Sequence, residues 1–382
     1  IMWNSDRAAF IVPLGYMDDT DLLDRMEFLA EMDEKDLLIQ DESFTTFLEN
    51  AEDMGVWVSG DILNSLGLER ELRQLRNETG YDPGDNKVSL FASFEDDLVD
   101  ITMNTEYDEE TQEKVDEYEL FSNSLDGDLL DYLPGEVMLS AGMSINMEGI
   151  LEMLKEEDDF KEAYRELRRQ DEAKEMMELL TGDAVMVLSG FEEKEITYDD
   201  YDYYTYESVE KTRIESIPVV SMIAGCTDSD AFMNSLEDLI PSLQNKGDLK
   251  LIVEGEQMIY VGYNDEGLIF SNDEDTAQAF QDDEEEDDSL ADSEAGSKLD
   301  GCNFYIRLLN DMSFLPEEMR EEMDDEEAEM MRKVDDLADY NEFYFDGKST
   351  SQLNLHAHEG DGNVLWRIVQ LADEMYKDSR AY

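Results

Sequence analysis

Two histidines hold most of the metal or nucleophile-activating chemistry this sequence can offer. His356 and His358 are the only ones in the chain. Spaced i, i+2 on an extended segment, they project to one face, and Glu359 and Asp361 follow directly. A His-x-His-Glu-x-Asp group has the nitrogen and oxygen donors that zinc or another transition metal takes. His356, His358 and Asp361 are therefore the candidate metal ligands, and a metal-dependent hydrolase is the weaker alternative among the functional readings. The plainer reading is an exposed strand with two solvent-facing imidazoles and a turn after it. Carboxylates point nowhere in particular: with 101 Asp and Glu, any one pair chosen for acid–base work on a glycosidic bond is arbitrary. The acidic stretches 82–85 and 265–275 lack the ligand alternation, the Gly at position six and the Glu at position twelve of an EF-hand loop. There is no G-x-S-x-G, Walker A or G-x-G-x-x-G pattern. The sequence thus names no catalytic residue and no cofactor, and reads as non-enzymatic.

The strip from Tyr198 to Tyr206 (Tyr-Asp-Asp-Tyr-Asp-Tyr-Tyr-Thr-Tyr) is the best binding candidate. Tyr198, Tyr201, Tyr203, Tyr204 and Tyr206 alternate with carboxylates, offering amphipathic contact area and negative potential together, which suits a basic partner. The competing reading is a loop or exposed strand whose tyrosines pack partly on a sheet. Met319, Met323, Met330 and Met331 read as core filling on a helix. Cys226 and Cys302 are too few for a disulfide framework; they are either one bridge or two small buried apolar groups.

Charge sets the outer limits on partners. Against the 101 acids stand 28 Lys and Arg, a formal net charge of -73. Nucleic acid and anionic membrane surfaces both need Lys and Arg to displace counterions, so neither is a partner. Divalent cations and basic proteins are attracted, and an acidic polyanion-mimic that occupies a basic protein is the alternative function. The 41% of hydrophobic residues come in short periodic runs, enough for a sizeable core. No run approaches the length that spans a bilayer. The chain opens on Ile1-Met2-Trp3 with no signal peptide in view, which fits a processed piece of a longer precursor. The oligomeric state is not legible.

The elements that must position these groups repeat. An apolar stretch, Phe10 to Gly15, runs into Asp18-Asp19-Thr20-Asp21 and then Leu22, Met26 and Leu29 at helical spacing. Val219 to Gly225, then Asp228-Ser229-Asp230, then Phe232, Leu236 and Leu239 repeat the pattern, and Val137 to Gly142 before Ile150, Leu151 and Leu154 is a looser third copy. Each predicts a strand, an N-cap and an amphipathic helix. Strand pairs around tight turns recur as well: 88–94 with 98–103, 258–263 with 268–271, and 342–345 with 350–358 around Asp346-Gly347. Longer helices are expected at 146–180, 312–340 and 363–377. The fold class expected is α+β, with repeated strand–helix–hairpin units forming antiparallel sheets and helices packed on one face. The units divide as 1–130, 131–280, an acidic insertion at 281–298 and a C-terminal helix, hairpin and helix at 299–382. Asp282 to Asp288 is all acid, and such a block repels itself, so the insertion is expected to be mobile.

Taken in order, Leu133-Pro134-Gly135, Leu180-Thr181-Gly182-Asp183 before Ala184 to Leu188, Asp228, Tyr260-Val261-Gly262-Tyr263, Leu268 to Asp273 and Asn363 to Ile368 form a series that resembles a Bacteroidetes lipoprotein family of unknown function, domain of unknown function 4836. The resemblance runs from about residue 7 to 377. It implies a lipid-anchored protein of the periplasm or cell surface, held at the outer membrane through an anchor outside this chain. It implies no established activity and supplies no catalytic residue. The extreme acidity is this chain's own. A non-enzymatic binding or structural protein of the bacterial cell envelope is the resulting expectation.

Overall fold

Alternating apolar and polar residues dictate strands with two different faces, and the chain makes many of them. A computed structural model describes residues 2–3, 8–9, 40–59, 86–121, 124–156, 160–161, 164–165, 169, 171–202, 207–240, 242–254, 257–323, 325–358 and 363–378. Strands β1 (Met2–Trp3) and β2 (Ala8–Ala9) pair with each other. The rest are β3 (Met54–Ser59), β4 (Lys87–Phe94), β5 (Leu98–Glu106), β6 (Leu139–Ser144), β7 (Leu180–Asp202), β8 (Glu207–Cys226), β9 (Gln244–Lys246), β10 (Leu249–Glu254), β11 (Gln257–Tyr263), β12 (Gly267–Ser271), β13 (Phe304–Leu309), β14 (Ala338–Phe345) and β15 (Thr350–Ala357). They form one 13-stranded sheet in the order β3-β4-β5-β15-β14-β13-β6-β7-β8-β12-β11-β10-β9, antiparallel at every pairing. The protein is α+β.

The helices among the described residues are α1 (Glu42–Asn50), α2 (Glu109–Tyr118), α3 (Met147–Glu156), α4 (Asp171–Leu179), α5 (Ser229–Leu239), α6 (Glu274–Gln281), α7 (Glu294–Leu299), α8 (Glu317–Glu322), α9 (Asp325–Asp335) and α10 (Val364–Asp378). Acidic side chains start several of them. The Asp228 carboxylate accepts from Ala231 N at 2.9 Å and that of Asp273 from Thr276 N at 3.0 Å, so each satisfies an N–H that the first helical turn leaves without a partner.

Helices cover both faces of the sheet, which corrects the expectation of one. Leu268 and Ile269 are consecutive in β12 and both fully buried, as only a strand covered on both sides allows. Ile269 joins Val185, Val187 and Ile223 beneath α6, α7 and the 3-10 turn Gly127–Tyr132, with Phe280, Leu290 and Leu299. Leu268 joins Val261 and Cys226 beneath α5, with Phe232, Met233 and Leu236. On that second face α10 adds Val364 to Val99 and Ala357.

The expected boundaries do not separate the sheet, because β5 pairs with β15 in register from Leu98↔His356 to Asn104↔Thr350. The 281–298 stretch, expected as a mobile insertion, is part of the core. Leu290, Ala295 and Leu299 are buried there, and Leu290 N donates to Leu133 O at 2.7 Å. The acid run concealed their spacing. Of the helix expected at 146–180 the described residues include α3 and α4, with Leu180 already in β7, and the helix expected at 312–340 is divided into α8 and α9 at the extended Met323. The strand–helix units at 139–156 and 219–239 form, while the copy at 10–29 lies outside the described residues. Cys226 and Cys302 are free and buried, and burial pushes the Cys302 thiol up to about 12.

The hairpin β14–β15 stands between β5 and β13 in the sheet. Its turn is fixed by Asp346, whose Oδ1 accepts from the backbone N–H groups of Lys348, Ser349 and Thr350 at 2.8, 2.9 and 3.0 Å. Gly347 sits at φ 78 there, with room for no Cβ: one would stand 2.4 Å from Phe121 O.

Candidate functional site

The register aligns residues of one sheet face into rows. One row runs Asp100, Asn354, Glu342, Arg307, Ser140, Val187 across β5, β15, β14, β13, β6 and β7. The next runs Thr102, Gln352, Tyr344, Tyr305, Gly142, Val185. Both rows end on the core valines Val185 and Val187 beneath α7 and the 3-10 turn and are polar over β13, β14, β15 and β5. On the far side α1 covers the same face again, with Phe47 stacked on Phe91 at 5.3 Å between ring centroids. A polar trough therefore lies between two helical covers.

Its floor is a buried carboxylate. Glu342 is 6% exposed and Tyr305 2%. The Tyr305 hydroxyl donates to Glu342 Oε1, and His356 Nε2 lies 2.9 Å from Oε2. Burial and the hydrogen bond to Glu342 together push the Tyr305 hydroxyl far above its ordinary range, so it is a neutral donor at every physiological pH. Removing a carboxylate from water is expensive unless hydrogen bonds replace the lost hydration, and these two donors do that.

A stack stands beside the carboxylate. The Arg307 guanidinium lies 3.9 Å from the centre of the Tyr340 ring, and Tyr340 stacks on His356 at 4.1 Å with 20° between the planes. Cation, phenol and imidazole are layered across three adjacent strands. Glu294 of α7 anchors the outer layer, accepting from Arg307 Nη2 at 3.3 Å. Burial, with Glu294 and Glu342 nearby, raises the Tyr340 hydroxyl to about 12. On the other side of Glu342 the floor opens into a recess of about 220 Å³ lined by Lys298, Tyr305, Glu342, Tyr344, Gln352 and Asn354. Asn354 Oδ1 is buried there without a hydrogen-bond partner. Gln352 Nε2 donates to Asp100 Oδ2, and Asp100 Oδ1 accepts from Thr102 at 2.9 Å. A wider recess of about 670 Å³ follows at α1, bounded by Glu42, Lys87, Ser89, Asn104 and Glu106 among others.

Of the residues singled out in the sequence, His356 is in the trough and His358 is not. The strand ends at Ala357, so His358 leaves the ladder: its Nδ1 lies 2.8 Å from Asp339 Oδ1 and its Nε2 2.7 Å from Asp335 O. The two imidazoles thus hold separate partners, and Asp361 lies outside the described residues. No group of three His, Cys, Asp or Glu side chains placed to hold a metal occurs among the described residues. Tyr198 and Tyr201 fall in β7, in register with Lys211 and Ser208 of β8; Tyr203, Tyr204 and Tyr206 lie outside the described residues. The described part of that strip is the end of a β-ribbon. Met319, Met330 and Met331 are exposed, which corrects their assignment to the core.

Sequence reasoning passed over Tyr305, Arg307, Tyr340, Glu342 and Asn354. The signal was present in Tyr340-x-Glu342-x-Tyr344 and Gln352-x-Asn354-x-His356, two polar and aromatic triplets on the facing strands of one expected hairpin.

A family model described as a domain of unknown function (DUF4836) matches residues 1–365. The chain belongs to that family. No curated protein and no solved structure matches it. No helix among the described residues is long and apolar enough to cross a membrane.

Proposed function

We propose that this DUF4836 member is a non-enzymatic binding protein of the bacterial cell envelope, and that the trough over β13, β14, β15 and β5 is its ligand site. The supporting observation is the buried Glu342 at the floor of an open recess, beside an amide oxygen that nothing satisfies. An apolar row of the same shape would stabilise the sheet at least as well. Places where a sequence abandons its own core pattern are expected to be functional. The envelope location rests on the resemblance to anchored Bacteroidetes lipoproteins. Native mass spectrometry of protein purified from its own cells tests the reading. A small-molecule adduct that Asn354→Leu abolishes supports it, and protein of bare mass from an envelope fraction counts against it. An acyl-modified cysteine upstream of Ile1 in the same spectra supports the anchor.

A second reading is favoured by the β7–β8 ribbon. β6 pairs with β7 only as far as Leu188, and β12 with β8 only from Ser221 to Gly225. Beyond them, among the described residues, the pairs from Phe191↔Pro218 to Asp202↔Glu207 are made by these two strands alone, over roughly 40 Å at about 3.4 Å per residue. This arm carries the exposed Glu192, Glu193 and Glu195 on one strand, whose sequence adds Asp199, Asp200 and Asp202, and an acidic ribbon suits a basic protein. Replacing 192–216 with a two-residue turn and measuring polylysine binding at physiological salt tests it. Unchanged binding contradicts a role for the arm.

A further inference from the structure

The β7–β8 arm has backbone hydrogen-bonding capacity that the sheet does not use. β6 ends its pairing with β7 at Leu188, where Met138 N donates to Leu188 O at 2.8 Å. Just beyond, the register of β7 on β8 shifts between Leu188 and Gly190. Gly190 takes φ 151 there, a region that glycine reaches without steric cost. A bulge of this kind bends a strand and ends its pairing. From Phe191 to Asp202, β7 therefore has β8 as its sole ladder partner among the described residues. Alternate residues of an antiparallel edge turn both N–H and C=O outward, so roughly six residues of this stretch offer them to another strand. Given the arm as the surface a basic protein takes, we infer that the outer edge of β7 binds an extended segment of that protein as an added strand, with Lys or Arg at every second residue.

Charge selects both the edge and its occupant. From 191 to 202, β7 carries six acids against Lys194 alone, and Lys194 already stands 3.0 Å from Glu192. From 207 to 218, β8 carries three acids and two cations, Lys211 and Arg213, so its edge is nearly balanced. Successive residues alternate between the faces of a strand, and the register sorts the arm's charges by face. The pairs Glu193↔Ser216, Glu195↔Ile214, Thr197↔Thr212 and Asp199↔Glu210 share one face and include no cation. The pairs Lys194↔Glu215, Ile196↔Arg213 and Tyr198↔Lys211 share the other and hold all three of the arm's cations. A strand with a cation at every second position sets those cations beside Glu193 and Glu195 on the cation-free face, and opposite charges on adjacent strands attract. In such recognition the backbone bonds give affinity and the alternate side chains give specificity. A second copy of this arm would set acid against acid along the same edge, which is unfavourable. An acidic segment is also repelled on approach by the -73 charge of the chain.

Fluorescence anisotropy of a labelled ten-residue peptide alternating Lys and Thr, titrated with the full chain at physiological salt, tests this. N-methylation keeps the peptide's charge and removes N–H donors. Methylating one alternate set of its amides is expected to weaken binding at least tenfold, the worth of roughly one hydrogen bond. Methylating the other set, which faces away from β7, should change it less than twofold. A peptide of the same composition with its lysines in one block should bind several-fold more weakly. Glu193→Lys together with Glu195→Lys, at exposed positions, should weaken the alternating peptide about tenfold and leave urea unfolding unchanged. Equal affinity of methylated and unmethylated peptides would overturn strand addition while leaving the arm as an acidic surface for a basic protein. Tight binding that survives replacement of 192–216 by a two-residue turn would overturn both. Absence of binding to the alternating peptide would overturn the inference, with the arm's part in holding a basic protein still judged by polylysine.

Discussion

Replacing Tyr305 with Phe removes one hydroxyl and nothing else from the floor of the trough. Tyr305 is 2% exposed, so no water reaches the place its proton occupied, and Glu342 keeps only His356. A hydrogen bond to a charged group is worth about 1.5–3 kcal/mol, so Tyr305→Phe should lower unfolding free energy by about 2 kcal/mol. Glu342→Leu takes the acceptor from both donors. The Tyr305 hydroxyl is then buried unpaired, at about 1–3 kcal/mol. The His356 side chain, 29% exposed, rehydrates, and release from carboxylate desolvation offsets part of the loss, leaving about 1–2 kcal/mol. The double variant strands neither group and should lie within about 1 kcal/mol of the parent. The two changes are therefore coupled by about 2 kcal/mol, inside the range for side chains in one network. Urea unfolding at 25 °C and fixed salt measures all four corners of the cycle. Coupling below about 0.5 kcal/mol, the level of independent sites, would refute the clamp on Glu342.

Groups away from that floor give further expected outcomes. Asp346 is held below the usual carboxylate range: burial opposes this, but the Thr350, Lys348 and Ser349 N–H groups outweigh it. Its folded value is depressed, so its stabilisation is present above the unfolded value near 3.9 and is lost as pH falls through the folded one; Asp346→Ala should flatten acid unfolding and lower stability at neutral pH by about 1.5–3 kcal/mol. Tyr340 is raised from 10.0 to about 12 by burial, with Glu294 and Glu342 adding to it. Its stabilisation is therefore full below pH 10 and lost as pH rises toward 12, and absorbance at 295 nm in Tyr340→Phe should lack one late-titrating phenol. Cys226 and Cys302 are both free and buried, with thiols raised first by desolvation, so a thiol reagent should find no reactive group in folded protein and two after unfolding.

Hairpins were the most legible part of the fold, because each rests on a local turn signal. Asp346-Gly347 fixes β14–β15 through three hydrogen bonds and a positive φ, all within five residues. Strand–helix units were legible for the same reason at Asp228, where cap and apolar spacing are contiguous. The order of strands was not, since β5 meets β15 across some 250 residues with no local trace. The acid run at Asp282 to Asp288 misdirected the reading by charge alone, when the informative residues were Leu290, Ala295 and Leu299. At the site, His356 was legible as a residue type, while its pairing with Glu342 was not. Its partner Glu342 was one acid among 101 until register placed it opposite Asn354 and beside Tyr305.

The central claim, that the trough holds a ligand, is tested most directly by amide hydrogen exchange on protein purified natively from its own cells. It is compared with the same protein after unfolding, dialysis and refolding. The account predicts faster exchange after stripping in β14, β15 and the facing part of β5, with β8, β11 and β12 unchanged. Identical exchange across the whole sheet in the two preparations would contradict it.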